Sequence, residues 1–185
     1  MSTICLIRHG KTEANERHLY CGSTDIALSA AGEQELADLR TSYAGIRAAR
    51  FVTSGMRRTE QTLQLLFGEW AHEIEPRLRE MDFGTFEMHC YEELKEDAAY
   101  QDWITGDNEA NLTPGGESGN IMRERVLAAF DELCRDGRDT VVITHGGVIA
   151  AIMAYLFPEE GRNRYQWQPR PGHGWIIKEH TFQPL

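Results

Sequence analysis

Two histidines, each following a strand-like run and followed by glycine, are the side chains of this chain best suited to do chemistry. Arg8-His9-Gly10 ends the apolar run 4–7, and His145-Gly146 ends the run 141–144. A third such run, 50–53, leads into Ser54-Gly55 and then Arg57. In open α/β sheets ligands bind beyond the carboxyl ends of the strands, so these endings would gather two histidines and two arginines at one edge. Guanidinium groups hold phosphate through charge-assisted hydrogen bonds worth about 1.5–3 kcal/mol each, and glycines let backbone N–H groups approach an anion. A neutral imidazole can attack phosphorus while a carbonyl holds its other nitrogen. The pattern predicts phosphoryl transfer. Its chemical competitor is a zinc site on His9, His145 and a carboxylate, which Arg8 and Arg57 would oppose by repelling the cation.

The elements that must position these groups are legible as alternating patterns. Strands are predicted at residues 3–7, 50–53, 139–144 and 174–180, with a short one near 72–75, from β-branched and aromatic content between polar or glycine boundaries. Helices are predicted at 30–43 with Ser29 as N-cap, at 59–67, at 91–104, at 119–135 with Ser118 as N-cap, and at 147–157. Strands alternating with helices imply parallel connections and a sheet covered on both faces. With no repeat or linker, the 185 residues are expected to form a single domain.

Composition narrows the partners. Nineteen Lys and Arg against 29 Asp and Glu give a formal charge of −10, which repels nucleic acid and anionic membranes at long range. An anionic ligand would therefore need a local positive pocket. Cys5, Cys21, Cys90 and Cys134 lie far apart without a CxxC pair, as free thiols of a reducing compartment would. The apolar stretch 141–157 contains Thr144, His145, Gly146 and Gly147 and is short for a membrane span. The N-terminus lacks the features of a signal peptide, so a cytoplasmic location is expected.

"LIRHGKTEAN", "TSGMRRTEQT", "LREMDFGTFE" and "VVITHGGVI", in that order, resemble the motifs of the histidine phosphatase superfamily, the phosphoglycerate mutase-like family. The resemblance spans residues 4–149 and implies a three-layer α/β/α sandwich with a largely parallel central sheet, working without metal or organic cofactor. It implies His9 as the nucleophile that becomes phosphorylated, a choice that residue physics leaves open between His9 and His145. It also implies Arg8, Arg57 and His145 as the phosphate pocket, Asn15 as a contact to the transferring group and Glu80 as the acid/base carboxylate. Asp82, two residues on, is a rival acid if the segment is extended. Lys11 departs from the family pattern, which often has Glu there.

Within the family, the segments 19–36 and 80–97 and the "TPGGES" loop resemble α-ribazole phosphatases, which implies a small-molecule phosphate ester as substrate. Cys21, Gly22 and Glu117 would border it. Tyr20, Phe86, Tyr91, Tyr100 and Trp103 could form a wall for a flat base or could pack as core. The alternatives are a broad-specificity phosphatase of small metabolites, a phosphoglycerate mutase returning its phosphoryl group to a sugar acid, and a binding module without turnover.

Overall fold

The computed structural model describes residues 2–107 and 109–185. Among them, six strands form one sheet: β1 (Ile4–Arg8), β2 (Arg50–Thr53), β3 (Glu73–Ile74), β4 (Thr140–Thr144), β5 (Gly174–Lys178) and β6 (Thr181–Pro184), in the order β3-β2-β4-β1-β5-β6. The first four strands run parallel, and the hairpin β5-β6 joins antiparallel at the edge. The helices are α1 (Glu13–Glu16), α2 (Ala30–Tyr43), α3 (Arg57–Phe67), α4 (Tyr91–Leu94), α5 (Ala98–Thr105), α6 (Gly119–Cys134), α7 (Gly146–Leu156) and α8 (Arg164–Trp167).

The central strands read as unbroken apolar runs because both of their faces are covered. Leu6 and Val142 point into a core shared with α6 and α7, whereas Cys5, Ile7, Val141 and Ile143 point into a core shared with α2 and α3. The result is a sheet flanked by helices on both sides. Register then fixes the site: Arg8 pairs with Thr144 across β1 and β4, and Thr53 pairs with Ile143 across β2 and β4. The residues that follow, His9, His145 and Ser54, leave the sheet at one level.

Three of the expected elements differ from the structure by more than one residue at a boundary. The strand expected over 174–180 stops at Lys178, because Glu179 and His180, with φ of 50° and 63°, reverse the chain into β6. Such tight turns usually announce themselves with Asn or Gly, and Glu-His does not. The helix expected over 91–104 is two helices, since the Asp97 side chain accepts from the Tyr100 N–H and starts α5 afresh. The helix expected from residue 59 begins at Arg57, with Met56 at its N-cap.

Candidate active site

His9 is the first residue beyond β1. Its N–H donates to the Thr144 carbonyl at 2.9 Å and its carbonyl accepts from the Gly172 N–H at 3.2 Å, so the backbone is held from both sides. The ring Nδ1 lies 2.7 Å from the Gly10 carbonyl. A carbonyl only accepts, so Nδ1 carries the proton and Nε2 keeps its lone pair. Burial, followed by the positive charges of Arg58 and Arg8, holds the ring well below the ordinary histidine range. This favours the neutral ring, the form of an imidazole that can serve as a nucleophile.

His145 stands beside it, with ring centroids 5.1 Å apart and planes at 63°. Its Nδ1 accepts from Arg58 Nε at 3.4 Å, which leaves the proton on Nε2 to donate to Ser54 Oγ at 2.9 Å. Burial, then Arg58, His9 and Arg8, likewise lowers its proton affinity.

The arginine delivered to this cluster is Arg58, not Arg57 as expected. Arg57 is exposed, and its backbone N–H donates to Asp25 Oδ1 at 2.8 Å. Arg58 is 1% exposed and donates to the carbonyls of Thr24 and Gly22 at 2.8 and 2.7 Å. Helical geometry explains the difference. Thr62, whose hydroxyl accepts the Gly10 N–H at 3.0 Å, marks the inward face of α3; Arg58 is four residues before it on that face, and Arg57 is turned about 100° away. Arg58→Ala is expected to lower kcat/KM for phosphate release by about 10²–10³-fold, the scale of losing a preorganised anion donor. Arg57→Ala should remain within about threefold of wild type, because surface substitutions away from a site change little.

Arg8 supplies the second guanidinium. Its Nη1 donates to the Pro169 carbonyl at 3.0 Å, while its Nε is buried without an acceptor among the described residues. An orphaned buried donor costs about 1–3 kcal/mol, and an anion lying between Arg8 and Arg58 would relieve it. The cluster is a local positive pocket inside an acidic protein.

Glu80 reaches the start of α7, the helix that follows His145. Its carboxylate accepts the Gly147 N–H at 2.8 Å and the Met81 N–H at 3.1 Å, so it sits at the N-terminus of α7, two residues from His145. A Cβ on Gly147 would lie 2.4 Å from Glu80 Oε1, so the glycine makes the approach possible. Arg125 fixes the backbone beneath it. All five of its N–H donors are used: two on Glu117, and the others on the carbonyls of Arg77, Arg79 and Glu80, at 2.7–2.9 Å.

The remaining expected site residues are held by contacts within the protein. Glu117 accepts Arg125 with both oxygens and the Asp82 N–H at 3.0 Å, so it braces the backbone that follows Glu80. Asp82 accepts from Ser23 Oγ and from the Gly84 N–H, at 2.9 and 2.8 Å, and shapes a turn. Asn15 accepts from Thr12 in the capping box of α1 through Oδ1. Cys21 directs its thiol to the Thr24 carbonyl, and burial raises that thiol's pKa. Gly22 holds Arg58 through its carbonyl, and a Cβ there would lie 1.6 Å from the Met81 carbonyl. Lys11 pairs with Glu35 at 2.6 Å on the surface. Of the expected aromatic wall, Phe86 and Tyr100 are core and Tyr91 is exposed, whereas Tyr20 and Trp103 line a cavity beside Met81.

The sequence gives Ser54 as a strand ending without a role, and Arg58, Glu87 and Arg125 carry no signal that marks them as site residues. Glu87 collects the N–H groups of Gly22, Ser23, Thr24 and Phe83 and so builds the loop that holds Arg58. Among the described residues no three His, Cys, Asp or Glu side chains converge as a metal site, and no helix is long and apolar enough to cross a membrane.

The buried pair also predicts a stability profile. Unfolded, both histidines titrate near 6.5; folded, both resist protonation. As pH falls below about 6.5 the unfolded chain therefore binds more protons, and stability drops by up to about 1.4 kcal/mol per pH unit for each ring. Urea titrations from about pH 7.5 to 5 should show this slope, and His9→Gln should remove about half of it. A flat profile would mean that the rings protonate freely in the folded state.

A family model described as Histidine phosphatase superfamily (branch 1) matches residues 4–178. The chain is 29% identical over 158 residues to the adenosylcobalamin/alpha-ribazole phosphatase of Escherichia coli (strain K12), covering 82% of this chain and 77% of that one. It is 28% identical over 200 residues to the "Probable phosphoglycerate mutase GpmB" of Yersinia enterocolitica (serotype O:8 / biotype 1B), covering 96% and 92%. The crystal structure of the alpha-ribazole phosphatase from Shigella flexneri superposes with a TM-score of 0.85 at 26% identity, covering 97% of this chain and 93% of that one.

Proposed function

The chain belongs to the histidine phosphatase superfamily, and from that premise we propose a phosphomonoesterase that works through a phosphohistidine on His9 and takes an α-ribazole 5′-phosphate-like ester. The observation that carries the reading is the His9 tautomer: Nδ1–H is held by the Gly10 carbonyl, so Nε2 offers its lone pair beside the buried Arg58 and the half-buried Arg8. In the first half-reaction Nε2 attacks phosphorus, the ester P–O bond breaks, and Glu80 gives its proton to the leaving alkoxide. In the second, water attacks phosphorus, the P–N bond breaks, and the Glu80 carboxylate takes the water's proton. Arg8 and Arg58 carry the charge on the transferring oxygens of a loose transition state. His145 supports them by accepting from Arg58 Nε through Nδ1.

The likeness to the two ribazole phosphatases supports the substrate class. Phosphate release, in chelator, from α-ribazole 5′-phosphate, 3-phosphoglycerate, sugar phosphates and an aryl phosphate tests it. We expect kcat/KM for the ribazole ester to exceed the others by at least about tenfold, the scale of one well-filled apolar contact. Equal slow rates on all would leave a broad-specificity phosphatase. Exchange of phosphoryl groups between phosphoglycerates in place of release would make the chain a mutase.

A further inference from the structure

Beside the catalytic cluster lies a cavity of about 210 Å³ lined by the rings of Tyr20, Phe83, Trp103 and Tyr165, with Met81 and Ile104. Arg164 and Gln168 complete its rim. Its position ties it to the reacting centre at two points. Met81, a buried residue in its lining, directly follows Glu80. Gln168 Oε1 lies 3.2 Å from where a Cβ of Gly146 would sit, the same point that Arg8 Nε approaches to 3.2 Å. A group attached to a phosphate held by Arg8 and Arg58 has this cavity as its neighbour.

The rings are set, not loose. Tyr20 and Phe83 have centroids 5.1 Å apart, Tyr20 and Trp103 5.9 Å, and the Tyr20 hydroxyl bonds the buried Tyr100 hydroxyl at 2.7 Å. The indole N–H of Trp103 is buried and has no acceptor among the described residues. Tyr165 is 75% exposed, a large ring kept at the surface with one side on the cavity. The charge at the rim is cancelled, because Arg164 pairs with Glu109 at 2.7 Å. Of the lining residues the one cation, Arg164, is already paired, whereas the four aromatic side chains offer a flat uncharged ring surfaces to stack on. The volume suits one flat ring system.

We propose that this cavity seats a planar aromatic group of the ester's alcohol portion, and that Phe83 and Tyr165 are the residues that select for it. The proposal rests on the phosphatase reading above and deepens it.

The test compares α-ribazole 5′-phosphate with ribose 5-phosphate, which carries a hydroxyl in place of the ring, using wild type, Phe83→Ala and Tyr165→Ala. Tyr165→Ala removes an exposed ring and cannot disturb the core, which keeps the test open if Phe83→Ala folds poorly. Expected is a fall of at least about tenfold in kcat/KM for the ribazole ester in each variant, mainly through KM, with ribose 5-phosphate unchanged within twofold. Wild type turning over both esters equally, or variants losing both in proportion, would overturn the aromatic seat and leave the phosphatase standing. No turnover of either ester would overturn both.

Discussion

His9→Ala is expected to reduce phosphate release by at least about 10⁴-fold on every ester, because removing a covalent nucleophile leaves only binding and electrostatics to act. The same substitution should abolish an acid-labile phosphoryl label trapped during turnover. The expectation comes from how the two rings are wired. His9 uses one nitrogen on the Gly10 carbonyl and leaves the other free, whereas His145 has both engaged, Nδ1 by Arg58 and Nε2 by Ser54. His145→Ala should therefore lower the rate and still form the label. A label that survives in His9→Ala and disappears in His145→Ala would move the nucleophile to His145.

The positions of these histidines were legible in the sequence because they rest on the strongest local signals: apolar runs buried on both faces and the polar residues that end them. β1, β2 and β4 and the capped helices α2 and α6 follow from the same patterns. What the sequence concealed has a different character. The choice between Arg57 and Arg58 is a matter of helical phase at a helix start, where two adjacent arginines carry equal signal and only the inward face of α3, marked by Thr62, separates them. Arg125 and Glu87 organise the site through backbone groups remote in sequence, and no periodicity reports such contacts. The tautomers of His9 and His145 depend on a carbonyl and a guanidinium placed by tertiary structure. The β5-β6 turn is built from Glu179 and His180 in a conformation for which neither residue type is a signal.

Glu80→Gln is expected to lower kcat on alkyl phosphate esters by about 10²–10⁴-fold while ester binding stays close to wild type, since glutamine keeps the shape and an acceptor for the Gly147 N–H but has no proton to give. The loss should shrink sharply for an aryl ester, whose leaving group departs as a stable anion and needs little protonation. That contrast separates a proton donor from a residue that merely supports the pocket, because a collapsed pocket would slow both esters alike. Asp82→Asn should stay within about threefold, since Asp82 serves a turn through Ser23 and Gly84. Arg125→Ala should resemble a milder Glu80→Gln: it leaves Arg8, Arg58 and both histidines in place but frees the carbonyls of residues 77, 79 and 80 that hold the acid's segment. If Asp82→Asn instead produced the larger loss, with the same dependence on leaving group, the proton would come from Asp82, and the Glu80 contact with Gly147 would be a brace for α7.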